Sequence, residues 1–236
     1  MNSHIINPIG HIETPFKQKF SIPRQGCLSS AKGKVVLNDD FDEQSVSGLS
    51  KFSHLWLLFL FSENLSRGWQ QQVKMPRLGG NKRTGVFASR STHRPNGIGM
   101  SAVKLERIEV QSGNVCLFVE GVDLLNMTPI IDIKPYVHYS DRLENATDPL
   151  ASLGDIAQLA VSFSPDAIAF LATLPEKFRA ECQQLIIDVL AQDPRPAYKR
   201  AQTNDTKEYR VALYDFDIAW RILSTGVEVV DIVPTR

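Results

Sequence analysis

Between residues 34 and 137, strand-length apolar segments follow one another with no helical pattern of about ten residues or more among them. These segments are KVVLN (34–38), HLWLLFLF (54–61), GVFASRS (85–91), AVKLERIEV (102–110), NVCLFVEGV (114–122) and PIIDIKPYV (129–137). Parallel neighbours need long crossovers, usually helical, and tight turns join antiparallel ones, so a doubly wound sheet is disfavoured here. A mostly antiparallel β-barrel is expected. The run 54–61 is continuously apolar, which suits a strand buried on both faces. Ser112-Gly113 reads as the turn of a hairpin between two of these strands.

The pattern changes after about residue 140. The acidic stretch 141–155, with Pro149 and Gly154, reads as a linker or interface segment. Ser164-Pro165-Asp166 is a helix start, with Ser as N-cap and Pro at the first helical position. A second helix is predicted over 175–192, where Phe178, Leu185, Ile186, Val189 and Leu190 recur at helical spacing. The end, YRVALYDFDIAWRIL, then STG, then VEVVDIV, reads as a β-hairpin. The expected fold is therefore mainly β: an N-terminal antiparallel barrel over 1–144 and a smaller α+β domain over 145–236.

Hydrophobic residues are 43% of the chain and charged residues 22%, which is globular composition rather than that of a disordered chain. Cys27, Cys116 and Cys182 are far apart and form no CxxC pair, so a disulfide framework or zinc ribbon is not expected. No signal-peptide pattern opens the chain, and LWLLFLF is too short to span a bilayer, so a soluble cytoplasmic protein is expected. The 26 basic and 26 acidic residues cancel, but they are unevenly placed. From Asn64 through Leu105 there is no Asp or Glu, while Arg67, Lys74, Arg77, Lys82, Arg83, Arg90, Arg94 and Lys104 all fall within that stretch.

Several catalytic patterns are missing. No GxGxxG follows a strand, GGNKRTG (79–85) lacks the ending of a phosphate loop, and no GxSxG is present. The five histidines lack metal-ligand spacing, so no metal is expected, and His54, opening an apolar strand, reads as a core histidine. The run ASRSTHRPNGIGMS (88–101) is more informative. Pro95 biases Arg94 to an extended backbone, Asn96-Gly97 supplies a tight turn, and Gly99 lets backbone approach a ligand closely. Arg90, in a strand-like segment, is expected to be partly buried and to need a carboxylate or phosphate partner.

PRQG (23–26), FSHLWLLF (52–59), PRLGGNKRTGVFASRSTHRPNGIGMS (76–101) and DLLNMTPIIDIKPY (123–136) resemble, in joint order, the signature blocks of the TsaA-like, or TrmO, family. QDPRPAYKR (192–200) resembles the C-terminal domain of its bacterial members. The resemblance implies an S-adenosyl-L-methionine-dependent tRNA methyltransferase built on a β-barrel. The implied acceptor is N6 of the threonylcarbamoylated adenosine beside the anticodon. The implied cofactor residues are Pro23, Arg24, Gln25, Glu63, Asn64, Arg90, Asp123, Leu124, Leu125 and Asn126. In this reading Asp123 or Glu63 accepts from ribose hydroxyls, Arg90 or Arg24 holds the methionyl carboxylate, and Leu124 and Leu125 face adenine.

Lys82, Arg83, Arg94 and Asn96, with Arg195, Lys199 and Arg200 from the C-terminal domain, are the residues expected to meet the tRNA anticodon arm. Arg90 and Arg94 are candidates for orienting cofactor and substrate, and no general base is nominated. A homodimer is also expected. Three positions depart from the family pattern: His93 where Phe is usual, Gly97 where Pro is usual, and Asn126-Met127 in place of Asp-Gly. Losing the proline should loosen the turn, and losing the aspartate removes an anionic group. Two other readings of the residues are a non-enzymatic RNA-binding barrel and a small-molecule hydrolase or transferase using the same pocket.

Overall fold

The computed structural model describes the chain except residues 1–3, 24, 75–82, 149–157, 196–198, 200–204, 206 and 236. The barrel strands and the short elements among them are β1 (Gly10–Glu13), β2 (Lys32–Leu37), β3 (His54–Leu60), α1 (Ser62–Leu65), β4 (Gln72–Lys74), β5 (Arg83–Gly85), β6 (Ile98–Gln111), β7 (Asn114–Glu120) and β8 (Thr128–Pro135). Then follow α2 (His138–Asp141), β9 (Val161–Phe163), α3 (Pro165–Ala172), α4 (Glu176–Ala191), β10 (Tyr209–Leu213), β11 (Phe216–Leu223) and β12 (Gly226–Pro234).

The first sheet closes on itself in the order β1-β2-β7-β6-β3-β8, every pair antiparallel. Closure removes the sheet edges that would otherwise recruit other strands. The β6–β7 hairpin turns at Ser112 (φ 51°) and Gly113 (φ 90°), the double positive φ of a turn that matches strand twist. Alternate residues fill the interior: Val35 and Leu37 from β2, Leu55, Leu57 and Phe59 from β3, and Leu117 and Val119 from β7 are buried.

The apolar run 54–61 is not buried on both faces as expected. Its outward residues Trp56, Leu58 and Leu60 are only half-buried, because a barrel strand has one face in the core and one outside. Trp56 Nε1 instead donates to Asp141 Oδ2 at 2.9 Å. His54 is not a core histidine either. It is exposed at the strand's start, 2.9 Å from Ser53 Oγ and edge-on to Tyr136. The expected strand over 85–91 is also corrected: after the short β5, residues Val86–Ala88 form a 3-10 turn.

In the C-terminal region Ser164 Oγ accepts from Ala167 N, capping α3 with Pro165 at its first position. Helix α4 follows from Pro175 and buries Leu185, Ile186, Val189 and Leu190, with Cys182, against the second sheet. That sheet runs β10-β11-β12-β9. The terminal segment folds as two hairpins rather than one, because Tyr214 (φ 54°) turns the chain between β10 and β11. Short β9 adds a parallel edge to β12. The two regions share one apolar cluster, in which Phe16 of the barrel side pairs with Leu213 of β10.

Candidate functional site

One mouth of the barrel opens into a cleft of about 710 Å³. Its walls come from segments far apart in sequence: 19–25, the end of β3 with α1, the 3-10 turn leading to Arg94, the start of β6, and the β7–β8 loop. Phe59, Phe61, Ile98, Met100 and Leu124 supply apolar surface, with Phe59 and Phe61 packed edge-to-face at 5.2 Å.

Asp123 is the more buried of the two carboxylates lining the cleft, the other being Glu63. Burial pushes its pKa up, while Ser101 Oγ at 2.6 Å, its own and the Gly26 backbone N–H, and the charge of Arg90 act in the opposite direction. Such a group can accept hydrogen bonds from a ligand's hydroxyls in a site partly withdrawn from water. Ser101 was not expected as a site residue. Strand alternation carries the signal for it, since it lies inward on β6, paired with Leu57.

Arg90 is exposed at the rim, and Nη1 donates to Gln25 Oε1 at 2.6 Å. The expected partial burial against a carboxylate is not found: no strand encloses Arg90, and its bonded partner is an amide. Arg94 lines the cleft while its Nη1 donates to Ser89 O at 2.6 Å, which braces the 86–94 turn from within. Lys19, also unexpected, donates from Nζ to Asn64 Oδ1 (2.7 Å) and Glu63 O (3.2 Å), tying α1 to the opposite wall. Nothing in the local sequence around Lys19 points to this contact.

Pro23, Gln25, Glu63, Asn64, Arg90, Arg94, Asp123, Leu124 and Leu125 are thus brought to one cleft. Asn126 is not among its lining residues. Its Oδ1 accepts from Thr14 N at 2.9 Å and its own N–H donates to Phe16 O, so it stitches the β7–β8 loop to the end of β1. Met127 beside it holds φ 64°, where the family's usual glycine would be unstrained.

Gly97, with φ 61°, donates its N–H to Arg94 O at 3.1 Å. Proline could make no such bond, so the turn gains a closing hydrogen bond where loosening was expected. Gly99 lines the cleft and also makes room for its aromatic rings: a Cβ there would lie 2.3 Å from Phe59 Cε2 and 2.8 Å from Phe61 Cζ. His93 fills the place of the usual Phe with its Nδ1 buried and unpaired, as expected of a space shaped for a hydrocarbon ring.

The residues expected to meet tRNA do not form one group. Arg83 is exposed on β5, Asn96 is exposed on the turn after Arg94, and Lys199 is half-buried. Arg195 is corrected from surface contact to internal ion pair. Its side chain is 3% exposed, with Nε and Nη2 each 2.8 Å from the Asp193 carboxylate and Nη1 3.4 Å from Asp205 Oδ2. Arg24, Lys82 and Arg200 lie outside the described residues. Among the described residues no three His, Cys, Asp or Glu side chains are placed to hold a metal ion.

A closed antiparallel barrel with an acidic, arginine-rimmed cleft at one mouth defines a small-molecule site on a non-Rossmann fold. Residues 11–142 match the family model of the tRNA-methyltransferase O N-terminal domain, and residues 156–235 match that of the TrmO C-terminal domain. The chain belongs to the tRNA-methyltransferase O family.

The tRNA (adenine(37)-N6)-methyltransferase of Escherichia coli (strain K12) is 42% identical to it over 236 residues, covering 99% of this chain and 100% of that protein. A probable S-adenosyl-L-methionine-binding protein of Methanothermobacter thermautotrophicus is 36% identical over 141 residues, 58% of this chain and 93% of that protein. A crystal structure of TrmO superposes with a TM-score of 0.80 at 35% identity, covering 98% of this chain and all of that one.

Proposed function

We propose that the protein is an S-adenosyl-L-methionine-dependent tRNA methyltransferase acting on N6 of adenosine 37, and that its substrate carries the N6-threonylcarbamoyl group. One observation carries the reading: Gln25, Asn64, Arg90 and Asp123, distant in sequence, line a single cleft on a chain that is 42% identical along its length to a tRNA (adenine(37)-N6)-methyltransferase. The cleft suits the cofactor in size and chemistry. Phe59, Phe61, Leu124 and Leu125 offer apolar surface to a purine, Asp123 can accept from ribose hydroxyls, and Arg90 or Lys19 can meet a carboxylate.

When bound, the cofactor supplies a methyl group on a positively charged sulfur, open to in-line attack. The protein's task is then alignment of donor and acceptor out of water. Phe59 and Phe61 exclude water from the floor, while the Gln25–Arg90 bond fixes the rim. Arg90 and Arg94 sit where the anionic threonylcarbamoyl group or a phosphate would approach. Asp123, with one carboxyl oxygen bonded to Ser101, is read as a binding group, and no general base is nominated.

We infer a cytoplasmic location, where the tRNA substrate would be met. We also infer a homodimer: exposed Leu65, Trp69 and Phe87 are apolar side chains near the cleft that a second copy could cover. Light scattering at micromolar concentration should then report twice the 26.4 kDa chain mass, and a monomer rejects it.

Titration calorimetry with S-adenosyl-L-methionine and its demethylated product tests the cofactor assignment. Methyl transfer to tRNA with and without the threonylcarbamoyl group tests the acceptor. Binding of tRNA without cofactor binding would leave a non-enzymatic RNA-binding barrel, and turnover of a free nucleoside would indicate a small-molecule transferase.

A further inference from the structure

The wall of the cleft that carries Pro23 and Gln25 continues into residues 28–32, where the barrel meets α4. Asp188 of α4 accepts from both the backbone N–H and the hydroxyl of Ser30, each at 2.8 Å. One helical turn later the buried Gln192 donates from Nε2 to Leu28 O at 3.1 Å and to Asp188 O at 2.9 Å. These bonds land on backbone and hydroxyl groups of a tightly closed turn. Leu28 N–H donates to Gln25 O and Ser29 N–H to Gly26 O. Gly26 is pressed against the β7–β8 turn, where a Cβ would lie 2.1 Å from Gly121 O.

On its other side this turn meets the cleft. Gln25 Oε1 takes the Arg90 guanidinium, and the Gly26 N–H bonds the Asp123 carboxylate. No residue of α4 lines the cleft. The apolar contact between the two regions, with Phe16, Leu213 and the Tyr214 N–H on Pro15 O, lies elsewhere. Removing the Asp188 and Gln192 bonds therefore loosens the turn without opening the interface, which the Lys32–Glu181 ion pair at 2.6 Å and the apolar contact still hold.

We propose that Asp188 and Gln192 are positioning residues: acting through the 25–30 turn, the C-terminal domain sets the affinity of the barrel's cleft for its methyl donor. The inference rests on the cleft being the S-adenosyl-L-methionine site. The bond network accounts for the direction of the effect. A turn braced by α4 as well as by its own bonds loses little further freedom on binding, whereas a turn without the α4 bonds keeps more freedom that the ligand must remove.

The test is calorimetry of the full-length chain with the demethylated cofactor product, joined to steady-state kinetics. The Asp188→Ala/Gln192→Ala double variant should bind about fivefold to tenfold more weakly, a fraction of the worth of the three lost hydrogen bonds, since they act on the cleft only through the turn. KM for S-adenosyl-L-methionine should rise in step, with kcat and the KM for tRNA close to wild type. Combining the double variant with Gln25→Ala should add less than the product of the separate losses, because both act through one turn. Asp215→Ala, which removes the Lys17 ion pair at another part of the interface, should leave affinity unchanged.

Should the double variant fail to fold, Ser30→Ala removes one of the same bonds from the barrel side, and about a twofold loss is expected. Wild-type affinity in the double variant or in Ser30→Ala, or an equal loss in Asp215→Ala, overturns the inference while the cofactor assignment stands. Absence of binding by the unaltered protein overturns both.

Discussion

Two stretches of this chain look alike on paper, SRSTHRPNG (89–97) and QDPRPAYKR (192–200), each basic and each holding an Arg-Pro step. Arg90 and Arg195 end in opposite surroundings. In the first, no acidic residue lies anywhere from Asn64 through Leu105, and Arg90 is exposed at a cleft rim, bonded to the neutral Gln25 and acting on Asp123 through its charge alone. In the second, Asp193 sits two residues before Arg195, and Asp205 comes in from further along the chain. Between them they take the guanidinium into the protein at 3% exposure. Tyr209 Oη, at 2.6 Å from Asp205 Oδ2, completes that network. A count of arginines does not separate a ligand-facing cation from a structural one; the carboxylates within reach do.

The sharpest way to break this comparison is Arg195→Ala. It should leave the Asp193 and Asp205 carboxylates without the guanidinium that bonds both and destabilise the protein by about 3 kcal/mol, read from urea unfolding. Cofactor affinity, measured where the variant is folded, should not change. Arg90→Ala should do the reverse, leaving the unfolding midpoint in place and weakening S-adenosyl-L-methionine binding by about 1.5–3 kcal/mol in calorimetry. Unchanged affinity in the folded variant would remove Arg90 from the site.

A smaller effect sharpens the picture of the first stretch. His93→Phe replaces an unpaired buried nitrogen by ring carbon and should stabilise the fold by about 1 kcal/mol, seen as a raised melting temperature. The smallest effects concern the remaining cations. Arg83→Ala and Lys199→Ala should each flatten the salt dependence of tRNA binding by about 0.7–0.9 in log–log slope, as expected for one lost phosphate contact. Arg195→Ala should leave that slope alone. Equal slopes in all three variants would mean that the RNA face lies elsewhere.

Much of the frame was legible because it rests on short-range rules. The Ser164 cap, the α4 face and the Ser112-Gly113 turn each depend on residues within a few positions of one another, and each formed as read. Misreadings occurred where a neighbour from far along the chain decided the outcome. Asn126 was read as a ligand contact, yet its side chain bonds Thr14, 112 residues away. His54 reads as a core histidine, yet it lies exposed at the strand's start, edge-on to Tyr136.

The sequence by itself determined that the chain is built of short antiparallel strands followed by a helix-containing sheet, and that one basic segment lacks acids. These follow from period, turn chemistry and composition, which are local properties of the chain. Only the tertiary structure decided that β1 closes against β8, that Asp123 is withdrawn into a cleft with Ser101, and that Arg195 is an internal ion pair. It alone placed α4 against the turn behind Gln25. The energy of a carboxylate or a guanidinium is set by whatever charge, dipole or water surrounds it, and those surroundings are assembled by folding from distant parts of the chain.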